Sequence, residues 1–255
     1  CTLLLPICGR FAAFCNRHDM DNVEIFEVRE CRDEYVAAVN RLLRQLDGES
    51  PVFTRSNLET IAGSEAQNDI KLPQPDKTLK TTLIDALQNR HSVRDFTEKD
   101  FSNQDLATLL WAANGINRED GKRTAPSALN KQDVEIFVIR KDGAYYWNAQ
   151  TNTLELRSNQ DLRSAVARGQ EFVAKAPLSL VLVSNGAKFG NMPTKFGLAD
   201  AGYVSQNICL ICSAAGWACC PRATMDNETL AEQLKLTPKQ VPMLNNTVGY
   251  SKSAK

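Results

Sequence analysis

The sequence is poor in histidine, with only His18 and His91 among 255 residues. Neither lies close in sequence to the late cysteine group of Cys209, Cys212, Cys219 and Cys220, so no histidine completes a local Cys/His metal spacing there. There is no excess of charge of either sign, since 30 Lys and Arg balance 30 Asp and Glu. The basic residues are scattered, which removes the electrostatic case for nucleic acid or an anionic membrane surface as a partner. No apolar run approaches the roughly 20 residues that a membrane-spanning helix needs. Internal repeats and low-complexity tracts are missing as well. The apolar opening, residues 1–8, has neither the basic n-region nor the small-residue cleavage site of an export signal. The chain does not begin with Met, and Met20 is a candidate start.

What is present is a globular composition with eight cysteines. Cys209 and Cys212 form a C-x-x-C, a spacing open to two readings: a redox pair or half a zinc site, or thiols packed as small hydrophobes. The stretch from Ile208 to Gly216 is an apolar helical pattern, which favours packing. Reduced, buried thiols point to a cytoplasmic protein.

Composition changes around residues 65–80. The segment 67–79 is polar, carries Pro73 and Pro75, and reads as a linker or extended arm between an N-terminal appendage (1–66) and a main body (80–255). In the appendage, Val23 to Val28 alternates like a strand. Asp33 to Leu46 has a helical period, and a second helix is expected from Ser56 to about Ala62. This opening, residues 23–64, weakly resembles the start of a GNAT-type N-acetyltransferase. The Gly-rich pyrophosphate turn such an enzyme needs does not follow, so an acetyltransferase core cannot be completed.

In the main body, Leu83, Ile84 and Leu87 make one apolar helix face. A second helix is expected over Asn103 to Asn114, with Leu106, Leu109 and Leu110 inward and Gly115 as its stop. Val134 to Ile139 reads as a strand, with turns at Asp142-Gly143 and Thr151 to Thr153. Leu178 to Val183 is continuously apolar, as in a buried strand. Leu198 to Ala215 reads as a long helix, apolar nearly all round and therefore deeply buried. A short helix is expected from Glu228 to Leu236.

Two polar segments carry candidate chemistry. Arg90-His91-Ser92-Val93-Arg94 leaves a helix and should become extended, placing Arg90, Ser92 and Arg94 on one side. Two guanidinium forks and a hydroxyl bind phosphate well, although a solvated basic turn has the same composition. Pro126-Ser127-Ala128-Leu129-Asn130-Lys131-Gln132 is a fixed, donor-rich loop that could read the edge of a heterocycle or could simply cap a turn.

These segments, followed in order by Asp200-Ala-Gly-Tyr-Val-Ser-Gln-Asn-Ile-Cys-Leu210 and the terminal Val248-Gly-Tyr250, resemble the nitroreductase family of FMN enzymes. The resemblance covers about residues 70 to 252 and is closest to the branch related to azoline dehydrogenases. It implies an α+β homodimer with an antiparallel-rich central sheet flanked by helices. It also implies FMN, with NADPH or NADH as electron donor and a small nitroaromatic- or quinone-like molecule as acceptor, turned over by a ping-pong hydride mechanism. On the same basis Arg90 and Ser92 would hold the phosphate and ribityl end with His91 beside them, and Arg94 would lie near the flavin pyrimidine. Pro126 and Ser127 would reach the flavin bound mainly by the other subunit, with Asn130 and Gln132 in the same loop. Gln170 would lie against the ribityl chain or ring. Arg222 belongs to the region facing flavin N5, and Gly249 and Lys252 to a terminal phosphate-contacting turn. No protein acid, base or nucleophile is nominated. Two departures from the family pattern stand out: Cys219-Cys220-Pro221 before Arg222 with Ala223 where Gly is frequent, and Ser251 where Pro is frequent. They motivate an alternative, a flavin-binding or flavin-sequestering protein without reductase turnover.

Overall fold

The computed structural model describes residues 5–7, 10–12, 69–190 and 194–252. The strand expected at 23–28, both N-terminal helices and the acetyltransferase-like stretch lie outside the described residues. In the N-terminal unit, β1 (Leu5–Ile7) and β2 (Arg10–Ala12) pair antiparallel.

The second unit, Asp69–Lys255, is built on a seven-stranded sheet of order β3-β6-β5-β4-β7-β9-β8. Its strands are β3 (Ile70–Lys71), β4 (Val134–Arg140), β5 (Gly143–Asn148), β6 (Thr153–Ser158), β7 (Leu178–Asn185), β8 (Trp217–Arg222) and β9 (Gln240–Tyr250). Each pair in this sheet is antiparallel. The helices are α1 (Leu83–Asn89), α2 (Asn103–Asn114), α3 (Arg163–Ala167), α4 (Glu171–Lys175), α5 (Gly197–Ala215) and α6 (Asn227–Gln233). The interior strand β7 is buried along nearly its whole length, as its unbroken apolar run requires.

The sheet separates two cores. One face packs α2 and α5 through Leu106, Leu109, Leu110, Val204 and Ile208. The other face holds Val166, Val173, Leu230 and Leu234 from the short helices and the turn after α6. Local chemistry sets the helix ends. Thr82 and Ser102 accept from the backbone of Asp85 and Asp105, capping α1 and α2. Gly216 ends α5 at φ 71°, a left-handed conformation that glycine adopts without a Cβ clash.

One expectation about helix faces needs correction. The long helix is not buried all round in this chain. Gly197, Ala201, Val204, Ser205, Ile208 and Cys212 face the core at helical spacing, whereas Leu198 and Tyr203 are more than half exposed. The Leu83–Ile84–Leu87 face of α1 points to solvent, and Ala86 is the helix's buried residue. The apolar stripe was legible; its direction depended on which side α5 occupies, and sequence periodicity carries no such information.

Candidate functional site

The strap that leaves α1, residues 90–97, runs beside the edge of the sheet. Val93 N donates to Cys219 O of β8 at 2.8 Å, and Thr97 N donates to Tyr250 O of β9 at 2.8 Å. Phe96 pairs with Ser251, and Lys252 N reaches Asp95 O at 3.4 Å. Val93 and Phe96 pack on Ala176 and Ala218, so the backbone of the strap is fixed while its polar side chains remain available. Sheet pairing thus joins two of the sequence candidates, Arg90–Arg94 and the chain end at Gly249–Lys252.

Among the described residues, no acidic side chain pairs with Arg90 or Arg94, and no hydrogen bond engages Ser92. His91 is exposed, and its Nδ1 donates to Asn89 O at 2.7 Å in the tautomer that carries the proton there. A cavity of about 140 Å³ opens against this strap, lined in part by His91, Val93, Cys209, Cys219 and Ser251. Arg94 lies over the ring of Phe172 at 5.9 Å, and Arg222 lies over the same ring at 6.0 Å. One aromatic ring thus carries two cations, and Arg94 has no acidic partner among the described residues.

Arg222 differs from Arg94 in being committed. Its Nε donates to Gln170 Oε1 at 3.0 Å, Nη1 to Val166 O and Asn245 Oδ1, and Nη2 to Ala167 O. Burial lowers its pKa from the usual guanidinium value. Its structural part is to hold Gln170, whose amide nitrogen stays unspent. Gln170 itself is the N-cap residue of α4. Gly249 is in β9, paired with Ala218, and not in a turn. A Cβ there would fall 2.6 Å from Pro177 Cγ and 3.0 Å from Phe96 Cδ1, so its bareness allows β9 and the strap to close together. Lys252 is exposed and paired with Asp95 at 3.3 Å.

The second polar segment stands apart. Ser127 Oγ accepts from Gln132 N at 2.8 Å, closing the loop on itself. Gln132 is further held by Arg123 Nε at 3.0 Å and Gly121 O at 3.2 Å. Leu129, Asn130 and Gln132 all have φ near 50°, a left-handed region costing a non-glycine residue roughly 1–2 kcal/mol. Pro126, Leu129 and Asn130 are exposed. Asp200, in the first turn of α5, accepts Ala128 N with both carboxylate oxygens and so ties the loop to that helix. Helix α1, which leads into the strap, is tied to the opposite end, where Ser213 Oγ donates to Ala86 O and Thr81 Oγ1 to Ala214 O, and His91 and Val93 of the strap line one cavity with Ser213. Thirteen residues of helix separate Asp200 from Ser213, roughly 20 Å. Within one chain, therefore, the strap and the loop are not brought together.

The thiols do not extend the site's chemistry. Cys209, Cys212, Cys219 and Cys220 are free and buried. The contact of Cys209 with Cys219 at 4.0 Å, together with burial, pushes the Cys209 thiol well above its ordinary value. A protonated thiol is neither nucleophile nor metal ligand. No group of residues suited to hold a metal occurs among the described residues. Phe172 and Asp200 are parts of these constellations that the sequence alone did not nominate. Asp200 had a visible signal, a lone acid in the first turn of an otherwise uncharged helix.

The sequence profile of the nitroreductase family matches residues 87–250. A nitroreductase-like protein of Methanocaldococcus jannaschii is 26% identical over 194 residues, covering 71% of this chain and 96% of that protein. The crystal structure of a nitroreductase-like protein from Ralstonia eutropha JMP134 superposes with a TM-score of 0.68 at 36% identity, covering 73% of this chain and 90% of the other. An NADH oxidase-like protein of Clostridium acetobutylicum shares the fold at 22% identity, with a TM-score of 0.51 over 67% of this chain and 90% of that one.

Proposed function

The chain belongs to the nitroreductase family, and from that premise we propose that it is an FMN-dependent oxidoreductase whose flavin sites lie between two copies of the chain. The observation that carries this reading is the pair of guanidinium groups, Arg90 and Arg94, which have no acidic partner among the described residues, on a strap whose backbone is fixed by β8 and β9. That donor set suits a phosphate at one end and an electron-rich ring edge at the other. When bound, FMN would supply the two-electron chemistry that moves reducing equivalents from NADPH or NADH to a small nitroaromatic- or quinone-like acceptor.

The chain's own residues then have distinct tasks. Arg90 and Ser92 hold the phosphate and ribityl end, with His91 beside them. Arg94 stabilises negative charge on the ring edge, where a fixed cation is worth most. Gln170, oriented by Arg222, presents its amide toward the ribityl chain or ring. Pro126 and Ser127, with Asn130 and Gln132 behind them, close over the flavin held by the other subunit. The separation of roughly 20 Å between strap and loop along α5 supports that division. So do the exposed Leu83, Ile84, Leu198 and Tyr203, which a second copy would cover. Among the described residues no helix is long and apolar enough to cross a membrane, which suits a small-molecule acceptor met in water.

The test is the visible spectrum of the purified protein before and after anaerobic NADPH or NADH. We expect a flavin spectrum that bleaches on addition. A colourless protein that takes up no added FMN would overturn the cofactor assignment. A yellow protein that neither reductant bleaches would favour a flavin-sequestering role, consistent with the departures at Cys219–Ala223.

A further inference from the structure

The loop at the N-terminal end of α5 is held by a buried acid that has a second buried acid as its neighbour. Asp133, just before β4, is wholly buried, and Asp200 is 2% exposed. Both oxygens of Asp200 accept Ala128 N–H, at 2.9 and 3.1 Å. Ser184 of β7 donates to Asp133 Oδ2 at 2.5 Å. The remaining oxygen, Asp133 Oδ1, is buried with no hydrogen-bond partner among the described residues. Ser184 links the two acids: its Oγ, bound to Asp133, packs against Gly197, one helical turn before Asp200, and Asp133 raises the Asp200 carboxyl. Two carboxylates close together out of water repel strongly, and one proton between them removes the repulsion. That proton would also give Asp133 Oδ1 the donor it lacks. The close seat of α5 on β7 keeps the pair together, since a Cβ at Gly197 would fall 2.3 Å from Ser184 Oγ.

We propose that Asp133 and Asp200 share one proton, and that the protonated pair is the positioning device that docks residues 127–132 onto α5. Its bearing on flavin binding rests on the function proposed above; the device itself does not.

One cation, Lys188, is felt by the pair, and its direct contacts go elsewhere. Lys188, in the turn after β7, donates to Gln132 O at 2.8 Å and lies 3.7 Å from Glu135 of β4. Burial lowers the Lys188 pKa, with Glu135 opposing, Arg123 lowering it further and Asp133 raising it. Glu135 is also bound by Asn185 and by Gln240 of β9. Arg123 is given to Gln132 and Asn114 O, and Lys131 flanks the loop half-buried. Asp200 is the only charged residue in α5. Burial, and after it the neighbouring Asp133, raises the Asp200 carboxyl from 3.8 to about 6, against the lowering pull of the Ala128 amide. A carboxyl raised on folding favours the folded, docked form while protonated. That contribution is present in full below 3.8 and is lost as the pH climbs through about 6.

The experiment follows hydrogen exchange of the 126–133 peptide in the full chain without flavin, corrected for intrinsic exchange, from about pH 4.5 to 7.5. In the wild type, protection should fall as the pH passes about 6. Asp200→Asn keeps an acceptor for Ala128 N and gains a donor for Asp133, so it should hold the loop docked across the range. Its protection near pH 7.5 should exceed the wild type's by up to about a hundredfold, the equivalent of a shift of two pH units. Asp133→Asn should flatten the profile equally, and the double variant should add nothing. Asp200→Ala should leave the loop unprotected at both ends. A carboxylic-acid carbonyl band in the infrared near pH 5, missing from Asp200→Asn, would mark the shared proton directly. An unchanged pH profile in Asp200→Asn, or full loop protection in Asp200→Ala, would overturn the proposal. Because exchange is read without flavin, a chain that shows the switch yet binds no FMN would sink the proposed function and leave this device standing.

Discussion

The strap at 90–97 and the loop at 126–132 are both polar, short and candidate cofactor contacts, yet they are built in opposite ways. The strap borrows its backbone order from β8 and β9 and leaves Arg90, Ser92 and Arg94 unspent among the described residues. The loop spends its polar groups on itself, through Ser127, Gln132 and Arg123, and holds three residues in left-handed backbone against that cost. A surface with unpaired cations waits for an anion. A self-satisfied loop with exposed Pro126 and Leu129 offers shape instead, a wall against which something flat can lie. Their attachment to opposite ends of α5 means that neither completes the other within one chain.

The largest effect expected from breaking this contrast is at the strap. Arg90→Ala removes a charge-assisted contact to phosphate, typically about 1.5–3 kcal/mol, and should weaken FMN retention roughly ten- to hundredfold. Flavin content after gel filtration and a fluorescence titration would measure it. Unchanged retention would move the phosphate off the strap.

A smaller but sharper effect comes from mixing lesions. Arg90→Ala damages the strap, and Ser127→Trp damages the loop by removing the Oγ that accepts Gln132 N and filling the wall. If each flavin lies between the strap of one chain and the loop of another, the two homodimers should both retain FMN poorly. The mixed dimer should regain about one flavin per dimer, because one of its two sites carries both lesions and the other carries neither. Differently tagged, co-expressed chains would show it. No recovery in the mixed species would place strap and loop contacts within one protomer.

The sequence made parts of this readable for identifiable reasons. The helix over about 103–114 was legible because its leucines recur at helical spacing and Gly115 ends it; the Ser102 cap fixes its start in the structure. The buried β7 was legible because an unbroken apolar run of that length has few other homes. β8 was not, since Trp-Ala-Cys-Cys-Pro-Arg has no alternation and contains Pro221. The sheet tolerates that proline because β8 is its edge strand. The N-terminal part of β9, from Gln240, was hidden by Pro242, which lies beyond the stretch paired with β8. The strap's residues were named correctly as neighbours in sequence, but their closeness to Gly249–Lys252 arises from pairing across some 150 residues, which no local pattern encodes. Asp133 was passed over for the same reason, because its partners Ser184 and Asp200 come from other elements.

Gly249 offers the most modest test and the clearest separation of packing from binding at the strap. Its missing side chain makes room for Pro177 and Phe96. Gly249→Ala overpacks that contact and should cost about 1–3 kcal/mol. In a domain of this size that lowers the melting midpoint by roughly 2–4 °C per kcal/mol. Because the atom met first belongs to Pro177, removing that ring in Pro177→Ala should relieve part of the cost. The double variant should then be more stable than the sum of the two single changes, by about 1 kcal/mol. Additive losses would mean that the strap yields instead of the ring. In that case Phe96 and the backbone that carries Arg94 shift, and flavin retention should fall along with stability. Coupled stability with retention intact would instead assign Gly249 to packing and leave phosphate contact to Arg90 and Ser92.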